Sequence, residues 1–130
     1  MVIDTSVWID FSRGSTDPHV EALARAINDG TAMVADPIRL EVLAGLATRA
    51  ELSHVTAALD GCVEATQQPR LDVEAAAEIY RACRRSGTTI RSLNGCLIAA
   101  IAIRHGVPVL HHDRDFDAIA RHSTLRAVSA

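Results

Sequence analysis

The chain has 130 residues, 48% of them hydrophobic and only 3% aromatic, with a formal net charge of −3. That length suits one domain, residues 1–130, with a core of Ala, Leu, Ile and Val, and the charge offers no bulk attraction for nucleic acid while leaving room for a local basic rim. No apolar run is long enough to span a bilayer, and "MVIDTS" lacks the basic start of a signal peptide, so a cytoplasmic protein with no membrane partner is expected.

"MVID" is a short apolar run ending in an acid and reads as a buried first strand. A short helix over "SVWIDFSR" follows, closed by Gly14. "TDPHVEALARAINDG" carries a full helix signature, with Asp17 as an acidic cap, Pro18 at the first helical position and Gly30 at the exit. "TAMVA" is a second strand. "DPIRLEVLAGLA" and "TRAELSHVTAALDG" read as an αα-hairpin joined at Ala47 and Thr48, the second helix opening with a capping box from Thr48 to Glu51. "CVEAT" is a third strand, and a long helix is expected from Asp72 to about Arg85. "SLNGCLIAAIAIRHG" is a helix capped by Ser92 and ended by Gly106. "VPVLHH" makes a fourth strand, "DRDFDAIARH" a helix and "TLRAV" a last strand. Strands alternating with helices predict a parallel α/β sheet covered on both faces.

Cys62, Cys83 and Cys96 are odd in number and lack C-x-x-C spacing, so they read as small apolar residues rather than a disulfide or zinc framework. All 13 basic residues are arginine. Gly95 is out of place. It falls at the third position of its helix, where glycine costs roughly 0.5–1 kcal/mol relative to alanine and nothing local requires it.

In open parallel sheets, sites lie beyond the carboxyl ends of the strands. Asp4 ends the first strand, Asp113 follows the fourth and Asp115 stands two residues on. Glu41 lies on a helix among Ile38, Leu40, Val42 and Leu43. Each acid alone has an ordinary account as a helix cap, a dipole partner or a surface ion pair. Together they place three or four oxygen ligands at one sheet edge, the donor set of Mg²⁺ or Mn²⁺. His111 and His112 precede Asp113 and alternate in direction. Packing or solvent exposure accounts for them better than a role in the site.

Two α/β classes with acidic sheet edges are excluded. Response-regulator receivers and haloacid-dehalogenase-type phosphatases both need a lysine, which this chain lacks, and the latter also needs Asp-x-Asp where this chain has "DTS". The order of "MVIDTSVWIDFSRG", "PIRLEVLAGL" and "GTTIRSLNGCLIAAIAIRHGVPVLHHDRDFDAIA" resembles the PIN-domain ribonucleases, and within them the VapC toxins of bacterial toxin–antitoxin pairs. The resemblance runs from residue 1 to about 120. It implies a PIN-like α/β/α sandwich around a parallel sheet of four or five strands. Asp4 matches the first-strand acid, Ser6 the hydroxyl that supports it, Glu41 the helix acid, and Asp113 and Asp115 the acids of the "D-x-D-F" element. The remaining family acid opens the helix that reads "SLNGCLIAA" here. That position is Gly95. Asn94 is a poor substitute, because adjacent helical residues point about 100° apart and a neutral amide is a weaker Mg²⁺ ligand.

The resemblance implies a Mg²⁺- or Mn²⁺-dependent endoribonuclease acting on RNA such as tRNA, impaired here by the missing carboxylate, or alternatively an inactive PIN module that keeps antitoxin and RNA binding. It also implies a homodimer and a hetero-oligomer with a VapB-type antitoxin. The apolar hairpin from Pro37 to Leu59 is a candidate docking surface, its small residues Ala44, Gly45 and Ala47 being equally suited to packing inside the domain. Arg13, Arg39, Arg84, Arg85, Arg91 and Arg114 are the candidate RNA contacts on the rim of the site.

Overall fold

Apolar runs of a few residues that end in acids or turns can only make short strands. In the computed structural model, which describes residues 1–129, each of the five strands has a two-residue ladder. They are β1 (Val2–Ile3), β2 (Met33–Val34), β3 (Val63–Glu64), β4 (Val109–Leu110) and β5 (Ala127–Val128). All pairings are parallel, in the order β3-β2-β1-β4-β5. The strand that comes first in sequence is therefore the central one. Val2 and Ile3 stand opposite Val109 and Leu110, all fully buried, as expected of strands covered on both faces.

Seven helices supply the cover: α1 (Thr5–Ser12), α2 (Pro18–Asn28), α3 (Asp36–Gly45), α4 (Arg49–Asp60), α5 (Pro69–Arg85), α6 (Leu93–Arg104) and α7 (Arg114–Arg121). This is the expected α/β layering, with five strands. Their starts follow the capping rules: Asp4, Ser92 and Asp113 cap α1, α6 and α7 through their side chains, and the Thr48–Glu51 box is fully formed. Two expectations shift. Asp17 stands at the N-cap of α2 but makes no capping bond, its carboxylate instead accepting the Ser15 hydroxyl at 2.9 Å. Helix α5 begins at Pro69, not at Asp72, because a proline suits the first helical position. Asp72 reaches back to accept the Gln68 backbone N–H at 2.8 Å.

The core is aliphatic with Trp8 and Phe116 as its two large aromatic fillers. Cys83 and Cys96 are buried, Cys62 half-buried, and all three are free. Among the described residues no helix is long and apolar enough to cross a membrane. Gly45 sits where an added Cβ would meet Ile9 Cδ1 at 3.3 Å, so this small residue lets α3 approach α1 closely. Asp72 and Arg104 make a largely buried ion pair. Asp72, 1% exposed, accepts Arg104 Nε at 2.7 Å and Nη2 at 2.9 Å, joining α5 to α6, while the same guanidinium donates to the Thr66 carbonyl.

That pair yields a stability prediction with a defined sign. Hydrogen bonds from Arg104, outweighing the opposing effect of burial, hold the Asp72 carboxyl below its ordinary value of 3.8. Its contribution is present above that pH and is lost as the pH falls through the lowered folded value. Asp72→Asn should lower the unfolding free energy at pH 7 by about 2–4 kcal/mol in urea titrations, with the gap between the two proteins closing in acid.

Candidate active site

Parallel pairing of β1 with β4 brings the two chain segments that follow them side by side. Asp4, the residue after β1, is 6% exposed, and its Oδ2 accepts the Ser6 N–H at 3.0 Å and the Ser6 hydroxyl at 2.5 Å. Asp113, after β4, accepts the Asp115 N–H at 3.0 Å. Both are N-caps and members of the site at once, so the two roles weighed for them coexist. Asp4, Glu41, Asp113 and Asp115 line one cavity of about 220 Å³, together with Thr5, Ser6, Ser92, Gly95, Ile98 and Phe116. The structure thus gathers the four acids named from the sequence, with Ser6 among them.

The electrostatics are those of an acid cluster short of cations. Burial raises the Asp4 carboxyl above its ordinary range despite the hydrogen bonds from Ser6, and the nearby Asp113 charge adds to the rise. Burial, then the charge of Asp4, does the same to Glu41. Relief comes from one arginine. Arg91 Nη2 donates to Asp113 Oδ1 at 2.7 Å, its Nε reaches Asp115 Oδ1 at 3.4 Å, and its backbone N–H donates to Asp115 Oδ2 at 3.0 Å. Asp115, 8% exposed, is therefore both a wall of the cavity and the seat of this guanidinium. That pairing has no sequence signal, since Arg91 and Asp115 stand 24 residues apart with no shared motif.

Position 95 faces the cavity. Gly95 lines it, its φ is not in the left-handed region, and an added Cβ would meet only Ile119 Cδ1 at an ordinary 3.9 Å. By contrast Gly106, at φ 68°, is in the left-handed region at the end of α6. Neither backbone strain nor crowding demands a glycine at 95, since a Cβ there makes only an ordinary contact in the wall of the cavity. Asn94 stands beside the cavity rather than in its wall. Its side-chain amide donates to Glu41 Oε1, holding that exposed carboxylate from outside.

Oxygen donors of this kind fit a hard cation that keeps part of its water shell. Among the described residues no three of these acids bring their oxygens within 4.8 Å of one another. Mg²⁺ is often held by one or two carboxylates plus waters, so the spacing is compatible. The Thr5 hydroxyl, buried beside the same cavity, has no hydrogen-bond partner among the described residues.

The remaining residues read from sequence lie as follows. His111 is 1% exposed, and its Nδ1 accepts the Asp113 N–H at 3.2 Å, so it supports the loop from below. His112 is exposed. Both border a second, open cavity of about 550 Å³ that adjoins the acids and is also lined by Ser6, Arg91, Asp113 and Arg114. Arg39 is tied to Asp60 at 3.2 Å and Glu64 at 3.9 Å. Arg85 lines a different cavity, with Asp72, Ile79 and His122. Arg13 caps the end of α1 and Arg84 lies in the last turn of α5, both exposed.

Known proteins resemble this chain in sequence and in fold. Residues 1–122 match the PIN domain family. A VapC ribonuclease of Mycobacterium bovis and ribonuclease VapC11 of Mycobacterium tuberculosis are each 39% identical to the chain over 131 residues, covering 99% of it and 98% of the relative. FitAcB from Neisseria gonorrhoeae superposes with a TM-score of 0.69 at 17% identity, covering 98% of this chain and 96% of that one. VapBC2 from Rickettsia felis, solved bound to a DNA fragment from its promoter, gives 0.69 at 14% identity, covering 97% and 95%. With the PIN family matched over residues 1–122 and 39% identity to VapC proteins over nearly its full length, the chain belongs to the PIN-domain family, in its VapC branch.

Proposed function

We propose that the chain is the toxin of a VapBC-type toxin–antitoxin pair and a Mg²⁺- or Mn²⁺-dependent endoribonuclease of low activity. The observation that carries this reading is the convergence of Asp4, Glu41, Asp113 and Asp115 on one cavity with an unfilled place at Gly95. Asp4 and Asp113 would hold the main ion, with Glu41 and Asp115 beside it; the ion would lower the pKa of a bound water and neutralise charge on the scissile phosphodiester. The protein's own groups do the positioning. Ser6 fixes the Asp4 rotamer, Asn94 restrains Glu41, and Arg91 sits at the mouth, where its guanidinium can turn from Asp113 to an entering phosphate. Arg114, which shares the open cavity with Arg91, extends that cationic rim. Arg13, Arg39, Arg84 and Arg85 are weaker candidates for RNA contact, since Arg39 is already paired and Arg85 lines a different cavity.

Activity is low in this proposal because a carboxylate at 95 would complete the ion's coordination, and each ligand or support of a metal commonly matters by 10- to 100-fold. A second reading, a non-cleaving PIN module that keeps antitoxin and RNA binding, is favoured by the same Gly95 and by the Arg91 guanidinium lying across Asp113 and Asp115. Structured RNA such as tRNA is the proposed substrate, cut to leave a 5′-phosphate and a 3′-hydroxyl. A VapB-type antitoxin and a second copy of the chain are the proposed protein partners, on surfaces that include the exposed Leu40 and Leu52 of the α3–α4 hairpin.

Three outcomes test this. Gly95→Asp should raise Mg²⁺- or Mn²⁺-dependent cleavage of total tRNA by about 10- to 100-fold, with a chelator abolishing it; equal cutting by both proteins would refute the assigned role of position 95. Gly95→Ala, which restores helix propensity without a ligand, should gain roughly 0.5–1 kcal/mol in urea unfolding and leave cleavage unchanged. Asp4→Asn should abolish metal-dependent cleavage in the Gly95→Asp background. It should do so without loss of stability at neutral pH, because a carboxyl whose folded pKa is raised costs stability as the pH climbs above its ordinary value of 3.8.

A further inference from the structure

On the far side of Ser6 from the acids, three side chains that the proposed reaction does not use converge on one point. Asp10 projects from α1, His19 from the first turn of α2, and His112 from the loop between β4 and α7. His19 Nε2 lies 2.7 Å and His112 Nδ1 2.8 Å from the same oxygen, Asp10 Oδ2. The two imidazoles are 4.3 Å apart and tilted by 31°. All three donor atoms lie within 4.8 Å of one another, which no other set of three His, Cys, Asp or Glu residues achieves among those described.

Exposure is graded across the cluster. The His19 side chain is 6% exposed, that of Asp10 22% and that of His112 62%. Two donors are thus held on packed helices, while the third stands at the surface and leaves an open face. A tetrahedral ion with bonds of about 2.0–2.2 Å keeps its donor atoms about 3.3–3.6 Å apart. The two N···O contacts would open by roughly 0.5–0.9 Å to admit one, through small rotations of the Asp10 side chain, common to both, and of the exposed His112.

The donor types separate this cluster from the acid cavity. Two imidazole nitrogens and one carboxylate oxygen suit borderline first-row dications, whereas an all-oxygen set suits Mg²⁺ or Mn²⁺. We propose that Asp10, His19 and His112 form a second metal site, selective for Zn²⁺ and ions of its class, with three protein ligands and an open fourth position. Bound there, the ion fastens α1, α2 and the β4–α7 loop to one another. It also reaches the acids through one residue: the His112 N–H donates to Ser6 Oγ at 2.9 Å, and Ser6 in turn holds Asp4. This assignment does not depend on the chain cleaving RNA.

The test is a Zn²⁺ titration of the purified chain by calorimetry in a large excess of Mg²⁺, which occupies all-oxygen sites, repeated with Co²⁺ to read tetrahedral coordination from its visible absorption. The expected result is one Zn²⁺ per chain and a Zn²⁺-dependent rise in melting temperature. Affinity should fall at least about 100-fold in His112→Gln, whose side chain is the exposed member of the cluster, and likewise in His19→Gln. It should be unchanged in Glu41→Gln. Absence of Zn²⁺ binding under excess Mg²⁺, or undiminished binding by His112→Gln, overturns the proposal. So does an equal loss in Glu41→Gln, which would put the ion in the acid cavity.

Discussion

Everything at the sheet edge hangs on the Ser6 hydroxyl. It donates to Asp4 at 2.5 Å and accepts the His112 N–H at 2.9 Å, so one small side chain links segments 106 residues apart. Backbone ladders of two residues cannot fix the loops that leave β1 and β4 with the accuracy a multi-acid site needs. The hydroxyl can, because it uses one proton and one lone pair in opposite directions. Alanine at position 6 would leave Asp4 with one donor fewer in a place where burial already disfavours its charge.

Parts of this arrangement are legible in sequence and parts are not. A parallel sheet from alternation, helix starts from caps and the gathering of Asp4, Asp113 and Asp115 all follow from local rules plus the habit of parallel sheets to place loops at one edge. Gly95 stands out for the same reason, being a local misfit whose meaning needed a family pattern. Helix α5 starts three residues before the expected Asp72, at Pro69, whose fixed φ suits the first helical position. Arg91 facing Asp113 and Asp115, Asn94 restraining Glu41, and the meeting of Asp10, His19 and His112 are side-chain encounters between distant elements. Residue type alone carries no trace of them.

The distribution of charge shows a trade between stability and chemistry. The fold concentrates carboxylates where two of them titrate above their ordinary range, an arrangement that costs folding free energy at neutral pH. Elsewhere the chain uses acids conservatively: Asp72 is fully paired with Arg104, and Asp10, though burial opposes it, is held below its ordinary range by two histidines. With all cations supplied by arginine, each contact in the mouth of the site is a planar, always-charged fork. Such a fork can pair with a carboxylate in one state and a phosphate in another without changing its own protonation.

The order β3-β2-β1-β4-β5 also governs when the site can exist. A growing polypeptide emits Asp4 and Glu41 early, yet β1 stays without one of its two partners until β4 has been made. During synthesis at 5–20 residues per second this leaves a central strand half-paired for several seconds. The acids of the β4–α7 segment arrive only after that pairing forms. A ribosome-bound fragment ending before Val109 therefore has no assembled site, whatever acids it already carries.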